Sequence, residues 1–162
     1  MKSMEDLFHA LLQDVYFAEK QLLKSFAVLA EGSGDPLLRN AFNVLRFDTH
    51  EQIGRLEQVF EMIGRRARGR HCDAILGIIA EAEDVIARTN LGSVRDAGIL
   101  AAAQAAEHYQ IARYGTLTAW AERLGEHQAA RHFRKTMDEE KAADALFGQI
   151  AAVSVNHAAQ AA

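Results

Sequence analysis

The sequence predicts an all-α protein in which four long helices pair as two antiparallel hairpins and a short fifth helix lies in the crossover between them. Three observations predict it. The 162 residues are rich in Ala, Leu, Glu and Arg and contain a single Pro, a composition of helix formers with few β-branched clusters. Apolar residues recur at alternating steps of three and four through four long segments. Glycine-containing breaks separate those segments where helix caps are also found.

The first helix opens at Ser3, with Asp6 three residues on as in a capping box, and carries Phe8, Leu12, Val15, Glu19, Leu22, Phe26 and Leu29 on one stripe. It stops at Gly32-Ser33-Gly34. Asp35 and Pro36 then provide an N-cap and a first-turn proline for the second helix, which runs to about Ile63 along Leu38, Phe42, Leu45, Thr49, Gln52, Leu56 and Val59. A turn this short makes the two helices antiparallel neighbours. Gly64 to Gly69 is a break rich in glycine and arginine. Ile75, Ile78, Ile79, Ala82 and Ile86 mark a shorter amphipathic helix ending near Asn90-Leu91-Gly92.

Ser93 with Asp96 reads as a second capping box, opening a helix along Leu100, Ala103, Glu107, Gln110, Tyr114, Leu117 and Ala121 that stops at Gly125. The last helix carries Phe133, Met137, Glu140, Asp144, Phe147 and Ala151, and the tail after residue 155 is expected to fray. One domain over residues 1–155 is the expected organisation, long enough to bury about two thirds of the chain's surface. The connection of about thirty residues between the hairpins can run the length of a bundle. Hairpin, long crossover, hairpin is the ferritin-like arrangement, with an up-down bundle carrying an outer helix as the alternative.

Composition and charge exclude several functions. A net charge of -4 is not the footprint of a general nucleic-acid binder. The arginines 65, 66, 68 and 70 form the one basic run, which reads as a solvated connection in preference to a phosphate site. A lone Cys72 excludes an internal disulfide, the opening MKSMEDLFHALL has acids where a signal peptide is apolar, and no run reaches the ~18 to 20 apolar residues of a membrane span. A cytoplasmic protein is the expectation, without a membrane or nucleic-acid partner and with no small-molecule substrate identifiable.

Each long helix has a polar interruption near its own midpoint: Glu19; Asp48 with Thr49 and Gln52; Glu107 with Gln110; Glu140 with Asp144. Midpoints of bundled helices share one layer whichever way each helix runs. Carboxylates converging in a low-dielectric core repel, so they protonate or take up cations. Di-iron and di-manganese bundles use one Glu from each of two helices and a ligand pair from each of the others. On that pattern Glu19 and Glu107 are the bridging ligands, Glu140 with Asp144 forms one pair, and Asp48 with Glu51 or Gln52 the other, Gln110 being a further candidate. No histidine stands three residues after either pair, so an all-oxygen site would favour Mn or Mg. His50 and His108 each lie one residue past a seam position, turned about 100° off it; His9, His71, His127, His132 and His157 read as surface residues. Tyr16 and Tyr109 are candidate hydrogen-bond donors to the ligands.

The segments DVYFAEKQL (Asp14 to Leu22), THEQIGRLEQVF (Thr49 to Phe60), DAGILAAAQAAEHYQIARYGTL (Asp96 to Leu117) and DEEKAADALF (Asp138 to Phe147) resemble the YciE/YciF family of bacterial ferritin-like proteins. The resemblance runs from about Met4 to Ala152. It implies a ferritin-like bundle, often a homodimer, associated with stress responses, with carboxylate positions at Glu19, Glu107, Glu140 and Asp144 and Fe or Mn as the metal. Two departures stand out: Gln110 and Asp48 occupy positions where Glu is common, which favours one metal or none. The expected function is therefore a stress-response protein with a mid-bundle carboxylate site reactive toward oxygen or peroxide. The alternative is a non-catalytic dimerisation or interaction module.

Overall fold

A computed structural model describes all residues, 1–162. The helices are α1 (Met4–Gly32), α2 (Pro36–Met62), α3 (Asp73–Arg88), α4 (Ser93–Arg123), α5 (His127–Ile150) and α6 (Asn156–Gln160), and a π-helical turn, Ala151–Val155, joins the last two. There is no strand. Local chemistry accounts for the boundaries. Ser3 Oγ accepts from the Asp6 amide, and Asp35 Oδ1 accepts from the amides of Leu37 and Leu38 with Pro36 at the first helical position. Gly64 and Gly125 stop α2 and α4 with positive φ of 65° and 78°, which glycine adopts without a Cβ penalty.

The directions of the helices follow from one end of the bundle. Asp96, in the first turn of α4, accepts from the amides of Gly34 and Asp35 at 2.8 and 2.9 Å, and Ser154, just after α5, donates to the Asp35 carboxylate. The end of α1, the starts of α2 and α4 and the end of α5 therefore meet. Accordingly α2 and α4 run parallel to each other and antiparallel to α1 and α5. α1 packs on α2 and α4, α5 packs on α2 and α4, and α3 lies along α1 and α4 on the outside. This is the hairpin, crossover, hairpin arrangement expected from the sequence.

Two expectations are corrected at this end. Ser93 and Asp96 do not form a capping box: the N-cap is Gly92, Ser93 Oγ donates to the Ala158 carbonyl, and Asp96 ties α4 to the first hairpin. The local motif yields to a tertiary one because the part-buried turn amides of Gly34 and Asp35 are donors that the buried Asp96 carboxylate satisfies. Nor does the chain simply fray after Val155. Val155 is buried, and α6 packs against α4.

The core is not continuous. One cluster, with Leu22, Phe26, Phe42, Ile99, Leu100 and Phe147, fills the end where the α1–α2 turn lies. A second, with Phe8, Leu12, Phe60, Tyr114, Leu117 and Phe133, fills the opposite end. What separates them is polar.

Candidate metal centre

Between the two apolar clusters lies a layer of buried polar side chains: Glu19 from α1, Thr49 and Gln52 from α2, Glu107 and Gln110 from α4, and Thr136 and Glu140 from α5. None is more than 4% exposed. Each sits on its helix's inward stripe. On α2 the buried positions run Leu38, Phe42, Leu45, Thr49, Gln52, Leu56 and Val59, a seven-residue repeat that carries the polar pair straight into the bundle axis.

The hydrogen bonds in this layer are few. Tyr114 Oη, itself fully buried, donates to Glu19 Oε1 at 2.5 Å. Gln52 Nε2 donates to Glu139 Oε2 at 3.3 Å. Arg55 closes the α2–α5 side: one nitrogen donates to Thr136 Oγ1 at 2.7 Å and another grips both oxygens of Glu139 at 2.9 and 2.7 Å. Glu107 and Glu140 are neighbours in the layer, and their interaction raises Glu140 while it lowers Glu107. Burial, reinforced by the charge of Glu140, pushes Glu19 well above the usual carboxylate range, against the pull of the Tyr114 hydroxyl and the Arg55 charge. Burial likewise raises Glu107 to about 7, with the charges of Glu19 and Asp144 acting in the same sense. Glu140 is raised well above its ordinary value by burial and by Glu107.

Three buried atoms are left without any partner: Glu107 Oε2 and both amide atoms of Gln110. A buried polar atom without a hydrogen bond costs about 1–3 kcal/mol, and here such atoms lie one helical turn apart on the same face. They leave hydrogen-bonding capacity free at one point of the layer. The donors available around it are three carboxylates, Glu19, Glu107 and Glu140, with the amide oxygens of Gln52 and Gln110. Hard oxygen donors of this kind suit Mn, Fe or Mg. No three acidic, histidine or cysteine side chains close on one point. The donor set would fit a single divalent cation once the carboxyls lose their protons and turn toward it. It is too small for two, since two-metal bundles use four carboxylates and two histidines.

Of the residues expected at the site, Glu19, Gln52, Glu107, Gln110 and Glu140 come together. Asp48, Glu51 and Asp144 do not. Asp48 is half-buried at the mouth of a groove between α2 and α5, and Glu51 is exposed, each one residue out of phase with Thr49 and Gln52. Asp144 lies at the α4–α5 edge, accepting from Gln104 at 3.4 Å and facing His108. The inward stripe of α5 is Phe133, Thr136, Glu140, Phe147 and Ile150, so Met137, Asp144 and Ala151 are each one position off it. His50, His71, His108, His127 and His157 stay on the surface, whereas His9 and His132 are half-buried. Tyr16 donates to Glu57 and Tyr109 pairs with Cys72, so neither serves the layer. That donor is Tyr114, which the seven-residue spacing from Glu107 already puts on the stripe. The arginines 65, 66 and 68 are exposed, and Arg70 is held by Asp14 at 2.6 and 2.7 Å.

Two hairpins, an outer crossover helix and a buried carboxylate layer at half height define a ferritin-like helical bundle protein. Residues 3–160 match the family described as Domain of unknown function (DUF892). The chain is 44% identical to Protein YciF of Escherichia coli (strain K12) over 161 residues, which is 99% of this chain and 97% of that protein. The crystal structure of the E. coli stress protein YciF superposes with a TM-score of 0.92 at 44% identity, covering 96% of this chain and 99% of that one. YcfI from Rhodopseudomonas palustris superposes with a TM-score of 0.88 at 41% identity, covering 91% and 94%. The chain belongs to the YciE/YciF family.

Proposed function

We infer that this YciF-like stress protein binds one divalent cation, Fe or Mn, in the mid-bundle layer. The observation that carries this reading is the pair of buried, unpartnered oxygens, Glu107 Oε2 and Gln110 Oε1, one helical turn apart between the two apolar clusters. Glu19, Glu107 and Glu140 would hold the ion, with the Gln52 and Gln110 oxygens completing its shell. A bound Fe or Mn ion supplies redox chemistry with oxygen or peroxide. The protein's part is to orient and exclude. Tyr114 fixes the Glu19 carboxyl, the apolar clusters above and below keep bulk water out, and Glu107 and Glu140, both raised by burial, would have to lose their protons to hold the ion. No helix is long and apolar enough to cross a membrane, and the cytoplasm is the proposed site of action.

Elemental analysis of protein purified without chelator tests the reading. About one Fe or Mn per chain is expected in the native protein, and a near-complete loss in Glu107→Ala. A trace content that Glu107→Ala leaves unchanged would sink it.

A second property, homodimerisation, is supported by a separate surface. Leu37, Val44, Leu146 and Val153 line a groove between α2 and α5 toward the turn end of the bundle, and Phe47 stands 68% exposed beside it. Apolar side chains gathered in this way mark contact surfaces. Sedimentation equilibrium is expected to give twice the 17.9 kDa of the chain, reverting to a monomer in Val44→Glu combined with Leu146→Glu. A native protein that is monomeric at all concentrations would exclude this dimer.

A further inference from the structure

We propose that the α2–α5 seam is the path by which the cation reaches the layer, with Glu139 as a swinging carboxylate and Arg55 as its latch. This rests on the cation site proposed above and adds how that site is loaded. An ion cannot cross either apolar cluster, since removing its hydration there costs many kcal/mol. The α1–α4 side is covered by α3. The α2–α5 side is different. A cavity of about 220 Å³ opens there between Val44, Leu45, Asp48, Glu139, Ala143 and Phe147, two carboxylates among apolar walls.

From the mouth inward the polar groups form an unbroken succession. Asp48 and Glu139 line the cavity, and the charge of Glu139 helps to raise Asp48. Glu139 accepts from Gln52, and Gln52 in turn contacts Glu140. Glu140 neighbours Glu107, beside the unpartnered Gln110. Gln52 turns its Nε2 toward Glu139 in this resting arrangement, so its amide must flip to offer an oxygen, while the carboxylates on either side supply the oxygens that a desolvating cation requires.

Arg55 sets the resting state. Its guanidinium, 12% exposed, holds both oxygens of the 30% exposed Glu139 and anchors on Thr136. Bidentate pairs of this kind fix a carboxylate's orientation. In that state Glu139 faces Arg55, and the two charges cancel. For a cation to pass, Glu139 must exchange Arg55 for the ion. The seam mouth adjoins the proposed dimer surface, since Val44 and Leu146 line both the cavity and the apolar groove. Arg55 lies eleven residues beyond Val44 along α2, roughly 16 Å at the helical rise.

The rival path is the α4–α5 edge, where Asp144 lies near enough to Glu107 to raise it but is engaged by Gln104 and His108. Stopped-flow uptake of Mn²⁺ by the full-length protein, followed by loss of the free-ion EPR signal, with EDTA-driven release as the reverse measurement, decides between them. A gate changes both rates by one factor and leaves affinity alone, whereas a ligand changes affinity. Glu139→Gln is expected to slow uptake and release together by about tenfold with unchanged stoichiometry, and Asp48→Asn to slow uptake less. Raising the ionic strength should slow native uptake through the acidic mouth. Asp144→Asn should leave both rates as they are. Slowing in Asp144→Asn but not in Glu139→Gln moves the path to the other edge and overturns the proposal. A lower stoichiometry in Glu139→Gln makes Glu139 a ligand and also overturns it. Native protein that takes up no Mn²⁺ refutes the cation site itself, and the path with it.

Discussion

Mn²⁺ added to chelator-treated protein should raise its melting temperature by roughly 5 to 10 °C when the ion is present at about a hundred times its dissociation constant. The figure follows from mass action. A ligand that binds only the folded state adds about 2.7 kcal/mol at that excess, and a chain of this size moves roughly 2 to 4 °C per kcal/mol. The physical source is the layer between the two apolar clusters. Without the cation, Gln110 and Glu107 Oε2 are buried and unpartnered; with it, their lone pairs face a positive charge in a medium of low dielectric. Binding must also displace the protons that Glu107 and Glu140 retain, so the rise should be larger near about pH 8 than near about pH 6. Glu140→Gln should blunt the response and Glu107→Ala should remove it. Calorimetry showing the same transition with and without Mn²⁺ or Fe²⁺ would refute the cation site.

Much of this layer is legible in the sequence alone, and the parts that are not have physical reasons. On α2 and α4 the stripe is strict: Thr49 with Gln52 and Glu107 with Gln110 fall on inward positions flanked by large apolar residues at three- and four-residue steps. A helix so flanked has one phase only. On α5 two phases compete. Met137 is the more apolar side chain, yet Thr136 points inward, because its hydroxyl takes a hydrogen bond from Arg55 on the neighbouring helix. That choice moves Asp144 to the edge. Asp48 has the charge of a ligand, but one residue is about 100° of helix and suffices to place it outside the layer.

Arg55 and Glu139 give no signal on a stripe of apolar positions, because a long charged side chain reaches inward from a flank. Their pairing exists only across two helices, 84 residues apart in sequence. The capping role expected of Asp96 fails for a related reason: local spacing cannot show that the Gly34 and Asp35 amides lie beside it.

The buried acids also fix how the metal-free protein responds to pH. Glu107 titrates near pH 4.5 when unfolded and at about 7 when folded, and Glu19 and Glu140 are raised well above the same reference, all three chiefly by burial. Above about pH 4.5 the unfolded chain has released these protons while the folded chain retains them. The native state then binds more protons than the unfolded one, and stability falls as pH rises. For Glu107 the loss accrues between about pH 4.5 and about pH 7 and reaches roughly 3 kcal/mol, while the other two extend the decline to higher pH. The lowered carboxyls, Glu5, Asp6, Asp35 and Glu122, act in the opposite sense but titrate below that window. In EDTA the melting temperature should therefore drop steadily from about pH 5 to about pH 8, by roughly 6 to 12 °C for the Glu107 contribution alone. Glu107→Gln keeps the shape and a hydrogen-bonding partner for Glu140 while having no proton to lose. It should flatten the profile and melt higher than the native protein at about pH 8 in EDTA, yet gain less from Mn²⁺. A substitution that stabilises the empty protein and weakens the loaded one is what a carboxylate kept for a cation should give. A native profile that is level or rising over this range, or a Glu107→Gln protein less stable than native at its upper end, would show that the layer is not held by retained protons.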